Sequence, residues 1–426
     1  MEITGTKIWT RSFVLLFFSN LLMALAFYFL IAVLPMYIQQ VLKAEKSEIG
    51  IALSMYTIAA LLIRPFFGMA LDRKGRKLIY LISLLVFAMM FNLYIVATTM
   101  VAMMFFRFLH GLSWGVTSIS GSTVVVDIIP PEKRGEGIGY FGISMTLGMA
   151  LGPFLGMTLL DHVGYDGVFV IGGLLAILSF VLAWLVRYPT YIPKPKNDVS
   201  LTKQLFEVSS PPASLTLLFL MTIYRRVIGF IKQLFEVSSL PASLTLLFLM
   251  TTYGSVIGFI NLFAESLNIT EPGLFFLPFA LGIGIARVVA GRRFDLHGPK
   301  TITLLAIIIM ATGFFFLSYI QNMNGFLAAG FLLGIGNGML FPTFQAIVNN
   351  LAGPKRRGAA NSTLFTAVDL GIGIGMVGAG VLSDFYSMQI MYAVAGCFAL
   401  FSIIPFLFFT SPHYDRNYKA EEKSDN

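Results

Sequence analysis

The sequence predicts an all-α membrane protein made of two similar halves, on three observations: its composition, a succession of apolar segments of spanning length, and a repeat at one fixed offset. Of 426 residues, 57% are hydrophobic and only 12% are charged, about half the charged share of an ordinary soluble domain. Mean hydropathy is +0.82, with 41 Phe and 40 Gly, as befits a chain whose surface faces hydrocarbon. Soluble enzymes, disordered proteins and secreted disulfide scaffolds do not fit this composition. A lone Cys397 makes no intramolecular disulfide and no cysteine cluster for a metal.

Twelve segments, at 12–38, 47–70, 78–98, 100–129, 136–160, 167–186, 240–264, 272–291, 301–320, 324–350, 358–383 and 388–410, are each long enough to cross about 30 Å of hydrocarbon as a helix. The first is about twice the length of a signal-peptide core and lacks a small-residue cleavage site, so it is read as a span. The net charge of +8 is explained by where the cations fall. With the N-terminus in the cytoplasm, Arg73, Lys74, Arg76, Lys77, Lys133, Arg134, Arg292, Arg293, Lys300, Lys355, Arg356, Arg357 and the basic residues of both termini share one side. Only Lys43 and Lys46 fall opposite. That asymmetry places both termini in the cytoplasm of a bacterial-type inner or plasma membrane. Basic charge is thus spent on topology, with no nucleic-acid partner, although Lys194, Lys196 and Lys203 could also meet anionic lipid.

The repeat sets the architecture. At an offset of 223 residues, Arg64, Gly68, Asp72, Gly75 and Lys77 match Arg287, Gly291, Asp295, Gly298 and Lys300. At the same offset Gly111, Gly115, Arg134, Gly135, Gly148, Gly152 and Asp161 match Gly334, Gly338, Arg357, Gly358, Gly371, Gly375 and Asp384. Such register implies two six-helix halves, with a substrate site between them near the midplane and alternating access by rocking. The expected organisation is an N-terminal half at 1–187, a cytoplasmic linker at 188–239, a C-terminal half at 240–411 and a cytoplasmic tail at 412–426.

The run Gly68-Met-Ala-Leu-Asp72-Arg73-Lys74-Gly75-Arg76-Lys77 resembles the signature between the second and third spans of the major facilitator superfamily, and Gly291-Arg-Arg-Phe-Asp295-Leu-His-Gly298-Pro299-Lys300 echoes it. The resemblance extends from about residue 12 to 410 and implies a twelve-helix major facilitator fold. Gly68 permits close helix approach, Asp72 can accept from cations or a helix N-terminus, and Arg76 can pair with more than one carboxylate. The resemblance further implies a cytoplasmic gate of Gly68, Asp72, Arg73, Gly75 and Arg76 with Asp127, the last at the end of the fourth span. The bland alternative is that these charges only set topology. Pro299 stands where Arg76 has its repeat mate, so a second complete network is not expected.

In the fifth span, Gly148, Gly152 and Gly156 recur every four residues with Pro153 beside the middle one, which makes a smooth face for helix packing. Gly148-Met-Ala-Leu-Gly152-Pro153-Phe-Leu-Gly156 resembles the antiporter motif of twelve-helix drug/proton exporters, with Met157 in place of a final glycine. The resemblance implies export by proton antiport. Uptake by a symporter, or a non-transporting sensor of the same fold, stays open. No nucleophile-base pair or metal-ligand spacing appears, so neither an enzyme, a cofactor nor a metal is expected.

Ionisable residues at membrane depth cost about 2.5–3.5 kcal/mol each on insertion scales, and so become functional candidates. Arg107, in Met103-Met-Phe-Phe-Arg107-Phe-Leu-His110-Gly111, and Asp369 in the eleventh span are such residues; their repeat mates Gly330 and Thr146 are uncharged. Arg107 resembles the fourth-span arginine of proton antiporters, the alternative being a structural pairing with backbone carbonyls. His110 lies one turn on and titrates near neutrality in water. Asp369 is a proton-coupling candidate, or else an interface acid hydrogen-bonded against the second span. Glu265 reads as a wet rim acid. His162 and His297 are expected in loops and His413 in the tail.

The family cavity is lined by spans one, four, seven and ten, which nominates Asn20, Tyr28, Trp114, Tyr253, Asn261, Asn337, Phe341 and Gln345. Aromatic faces with scattered polar groups suit a small amphipathic or cationic organic compound. Protons and membrane lipid complete the expected partners of a monomer.

A second repeat is short. Residues 203–231 recur as 232–260 with 25 of 29 positions identical, which indicates a recent or engineered duplication. Arg225 and Arg226 of the first copy stand where the second has Gly254 and Ser255, shortening an uncharged run of 28 residues to 17. A spanning first copy would turn every later basic loop outward, against the charge asymmetry. It is therefore expected in the cytoplasmic linker, as an interfacial helix rather than a disordered loop, with the second copy forming the seventh span.

Overall fold

The computed structural model describes residues 7–74, 76–130, 133–188 and 236–424. The first copy of the duplication, at 203–231, and most of the expected linker lie outside them. The described chain is all helix: α1 (Arg11–Gln40), α2 (Lys46–Lys74), α3 (Arg76–Leu93), α4 (Met100–Ile128), α5 (Arg134–Trp184), α6 (Leu240–Ser266), α7 (Phe276–His297), α8 (Pro299–Tyr319), α9 (Met323–Leu351), α10 (Gly353–Phe385), α11 (Met388–Phe401) and α12 (Ser411–Ser424). Nine helical stretches among these residues are long and apolar enough to cross a bilayer. Polar caps start several of them. Thr10 accepts from the Phe13 amide at 3.3 Å, Thr99 from Ala102 at 3.2 Å, Asn322 from Gly325 at 2.9 Å and Ser387 from Ile390 at 3.2 Å, each satisfying an amide that the helix itself leaves orphaned.

The fifth and sixth segments are two helices that meet within α5 at a kink, where Gly164 leaves the helical region with a φ of 66°, open to glycine at no steric cost. One expectation is corrected: His162 and His297 do not fall in loops, since His162 is helical and His297 ends α7. The expected tail is largely α12, reached from α11 through a helical turn at Ile403–Pro405 and a π-helical Phe406–Thr410. It is held by Asn350 Nδ2 donating to Tyr414 Oη at 2.9 Å and by His413 Nε2 at 3.0 Å from the Ser238 carbonyl.

Large apolar side chains cover the outside of the bundle. Phe105, Leu174, Trp184 and Phe408 are all more than half exposed, which water would penalise and lipid does not.

Helix pairing follows the 223-residue repeat. α1 lies along α5, α2 against α4, and α3 against α4 and α5; after the linker, α6 lies along α10, α7 against α9, and α8 against α9 and α11. Glycines set these contacts in register. Gly111 meets the Tyr56 backbone as Gly334 meets that of Phe279; Gly148 meets Ala24 as Gly371 meets Leu247; Gly152 meets Tyr28 as Gly375 meets Thr251. Both partners in every comparison are 223 residues apart. Across the middle, α2 packs on α10, α5 on α7 and α1 on α6.

Candidate transport site

The antiporter-like glycines are contact surfaces. A Cβ on Gly148 would meet the Ala24 carbonyl carbon at 2.8 Å, one on Gly152 the Phe29 amide at 3.0 Å, and one on Gly156 the Phe29 Cα at 3.3 Å, so α5 and α1 touch almost backbone to backbone. Pro153 lies inside α5 on the same stretch and reaches a small void. Tyr28, Ile31, Ala32, Met149, Tyr253, Ile257 and Phe276 complete its lining, so it lies where α1, α5, α6 and α7 meet.

Beside the void, two aromatic stacks fill space. Phe27 stacks on Trp114 at 3.8 Å between ring centres, and Tyr253 lies parallel to Phe279 at 6.0 Å. Of the eight expected lining residues, the structure thus brings Tyr28 and Tyr253 to the void. Asn20 Nδ2 instead donates to Ser144 Oγ at 2.7 Å, joining α1 to α5, and Asn261 Nδ2 donates to the Ala32 carbonyl at 2.8 Å, joining α6 to α1. On α9, Asn337 is buried, Phe341 packs against Phe365 at 5.8 Å, and Gln345 Nε2 lies 3.4 Å from Asn361 Oδ1.

The charged residues at depth form two groups. Arg64 of α2 and Asp369 of α10 make an ion pair across the midline, with side chains only 10% and 12% exposed. Arg107 of α4 is fully buried, donates from Nη2 to the Leu53 carbonyl at 3.3 Å, and lies 4.7 Å above the Tyr56 ring. Its Nε and Nη1 have no hydrogen-bond partner among the described residues. Tyr56, which Arg107 overlies, is on α2 together with Arg64. His110 sits in an aromatic cage of Phe87, Phe91 and Phe27, with Nδ1 at 2.9 Å from Tyr94 Oη and Nε2 without a hydrogen-bond partner among the described residues.

Arg64 stands out in the sequence only as the repeat mate of Arg287. Its signal is an arginine inside an apolar span, which needs a partner there. The partner Asp369 follows from the contact of α2 with α10, the arrangement of an interface acid against the second span. Arg287, at the equivalent place on α7, has no acid at the equivalent place on α5, because Asp369 has Thr146 as its repeat mate.

The two ends of the bundle are tied differently. At the basic-loop end, Arg76 Nη1 pairs with Asp127 and lies 3.4 Å from the Thr123 carbonyl, fastening α3 to α4. The backbones of Gly68, Asp72 and Arg73 are helical within α2; their side chains, and Gly75, lie outside the described residues. At the far end, Gln40 Nε2 donates to Glu265 Oε1 at 2.9 Å while Tyr165 Oη donates to Gln40 Oε1 at 2.7 Å, with Glu265 exposed as a rim acid. Among the described residues no group of three His, Cys, Asp or Glu is placed to hold a metal.

This glycine-packed, two-fold arrangement has relatives. A family model described as the Major Facilitator Superfamily matches residues 16–270 and again 242–425. The chain is 23% identical over 406 residues to multidrug resistance protein MdtG of Salmonella choleraesuis (strain SC-B67), covering 93% of this chain and 94% of the relative. It is 25% identical over 401 residues to the protein of the same name from Escherichia fergusonii, covering 93% of each. Among solved structures, a bacterial homolog of the human lysosomal transporter Spinster, in an inward-facing and occupied conformation, superposes with a TM-score of 0.73 at 15% identity, over 98% of this chain and 99% of that one. The human organic anion transporter MFSD10 gives 0.66 at 16% identity, over 93% and 98%. Composition, repeat, helix pairing and these matches agree: the chain is an integral membrane transporter that belongs to the major facilitator superfamily.

Proposed function

We propose that the chain exports a small amphipathic organic compound in exchange for protons, by rocking residues 1–187 against 240–411 about a central site. Both termini then face the cytoplasm, which makes the basic-loop end cytoplasmic and the far end external. One observation carries the coupling: the Arg64–Asp369 pair joins the two halves at membrane depth, where an ion pair is stable only while both partners are charged. A proton on Asp369 removes the attraction that holds α2 to α10 there, and a cationic substrate competes for the same carboxylate. Proton and substrate then alternate on one acid, which is the requirement for exchange. Arg107, buried over Tyr56, disfavours a second cation nearby, and His110 on the same helix is a further candidate for the coupling. Tyr28 and Tyr253 line the void between the halves, and aromatic side chains there suit an amphipathic cation. The MdtG relatives, whose name is multidrug resistance protein, support the export direction.

Sealed proteoliposomes with an acidic lumen test this. They should accumulate a lipophilic cationic dye, and an ionophore that collapses the gradient should abolish the accumulation. Accumulation that ignores the gradient would remove proton antiport, and dye moving in the direction of proton flow would make the protein a symporter.

A further inference from the structure

We infer that Asp384 latches the far end of the transporter shut, by capping the first turn of α2 from the opposite half of the molecule, and that the latch must release for that end to open.

The geometry is specific. The Lys46 amide donates to Asp384 Oδ1 at 3.0 Å and the Ser47 amide to Oδ2 at 2.7 Å, so one carboxylate takes the first two free amides of α2. Such amides carry the positive end of the helix dipole, and a carboxylate is their best acceptor. The same turn closes on itself as well, since the Glu45 amide donates to Glu48 Oε2 at 2.9 Å. Lys46 Nζ reaches the Ser383 carbonyl at 3.1 Å, where the last turn of α10 is electron-rich. Opposite helix ends, a carboxylate and an ammonium therefore meet with every sign complementary.

Backbone packing makes the contact possible. A Cβ on Gly380 would meet the Ser47 Cα at 3.0 Å, and one on Gly50 the Val377 Cα at 3.1 Å. α2 and α10 approach at this end as closely as the antiporter-like stretch approaches α1, but here the contact crosses between halves that must separate.

The repeat supplies an internal control. Asp161 is the mate of Asp384, but the residues equivalent to Lys46 and Ser47 are Ile269 and Thr270, which precede the 3-10 turn Pro272–Phe275 rather than starting a helix. The helix-starting amides that Asp384 accepts from thus have no counterpart at the equivalent positions, and one of the two related acids has become a latch. Asp384 is a positioning residue for the transport cycle and touches no substrate.

The inference rests on alternating access, but its readout needs neither a substrate nor a proton gradient. In a Cys397→Ser background, Ile257→Cys places a thiol in the void between the halves. A membrane-impermeant maleimide added to right-side-out vesicles then reports opening of the far end, and inverted vesicles report the basic end. Asp384→Asn should raise far-end labelling about tenfold, the scale of losing charge-assisted hydrogen bonds at a helix terminus. Asp384→Glu should stay within about twofold of the parent, and Asp161→Asn should match it. Lys46→Met keeps both amide caps, should raise labelling by a smaller factor, and serves if Asp384→Asn fails to accumulate. Parental labelling in Asp384→Asn, or in Lys46→Met where Asp384→Asn does not accumulate, overturns the latch, as does an equal rise in Asp161→Asn. A rise confined to inverted vesicles keeps the latch and overturns the orientation given above.

Discussion

Asp369 and Arg64 test each other. Neutralising one member of a buried pair strands the other charge, so Asp369→Asn or Arg64→Gln alone should destabilise the protein by about 3 kcal/mol, whereas the double variant should recover most of that loss. Thermal unfolding in detergent measures this; additive losses would show that the two side chains do not interact. The double variant is then the proper background for coupling: its transport should lose pH dependence while the folded protein remains abundant. Retained proton-driven transport would remove Asp369 from the mechanism and leave Arg107 with His110 as the candidates. The Arg76–Asp127 pair at the basic end makes a parallel case. Arg76→Ala and Asp127→Asn should be non-additive in a double-mutant cycle read by accessibility from the cytoplasmic face. Simple addition would reduce both residues to topology determinants.

At the scale of elements, the glycines on one helix should behave oppositely according to what faces them. Gly375 on α10 meets the Thr251 backbone, whereas nothing lies within 4 Å of a Cβ on Gly378, three residues on. Gly375→Ala should therefore cost about 1–3 kcal/mol through overpacking, while Gly378→Ala should gain up to about 1 kcal/mol from helix propensity. The same contrast holds on α5 for Gly152→Ala against Gly142→Ala, the latter site also having open space around it. Melting temperatures of the four variants decide this, and equal shifts within each pair would show that close approach does not govern these contacts. Four-residue glycine spacing was legible in the sequence as a smooth face. Which helix covers that face was not, because spacing along one helix says nothing about the neighbour that lies on it.

At the scale of the molecule, orientation and the duplicated segment are one question. Arg225 and Arg226 would cost about 2.5–3.5 kcal/mol each near the bilayer centre, more than the ten-residue apolar run Leu215 to Tyr224 is able to supply. Deleting 203–231 should then leave the orientation of the Lys300 and Lys355 regions unchanged and transport largely intact. Reverting Arg225→Gly and Arg226→Ser should produce mixed topology as two copies compete for the place of α6. Cysteine labelling beside Lys355 reads both; external accessibility in the unaltered protein would mean that the first copy spans.

Composition and the 223-residue offset determined from sequence alone that the chain is an all-helical membrane protein of two related halves, because hydrocarbon admits apolar helices almost regardless of tertiary context and duplication leaves its register in glycines. The depth of Arg107 and Asp369 was equally legible, since depth is a count of residues along a helix. Tertiary structure alone decided that Asp369 faces Arg64, that Asn20 and Asn261 hold helices together rather than line the void, and that Asp384 caps α2. Those outcomes depend on which helix faces meet, within one half for Asn20 and between the halves for the others. Such contacts join residues more than 300 positions apart in two of these cases, and no local periodicity encodes them.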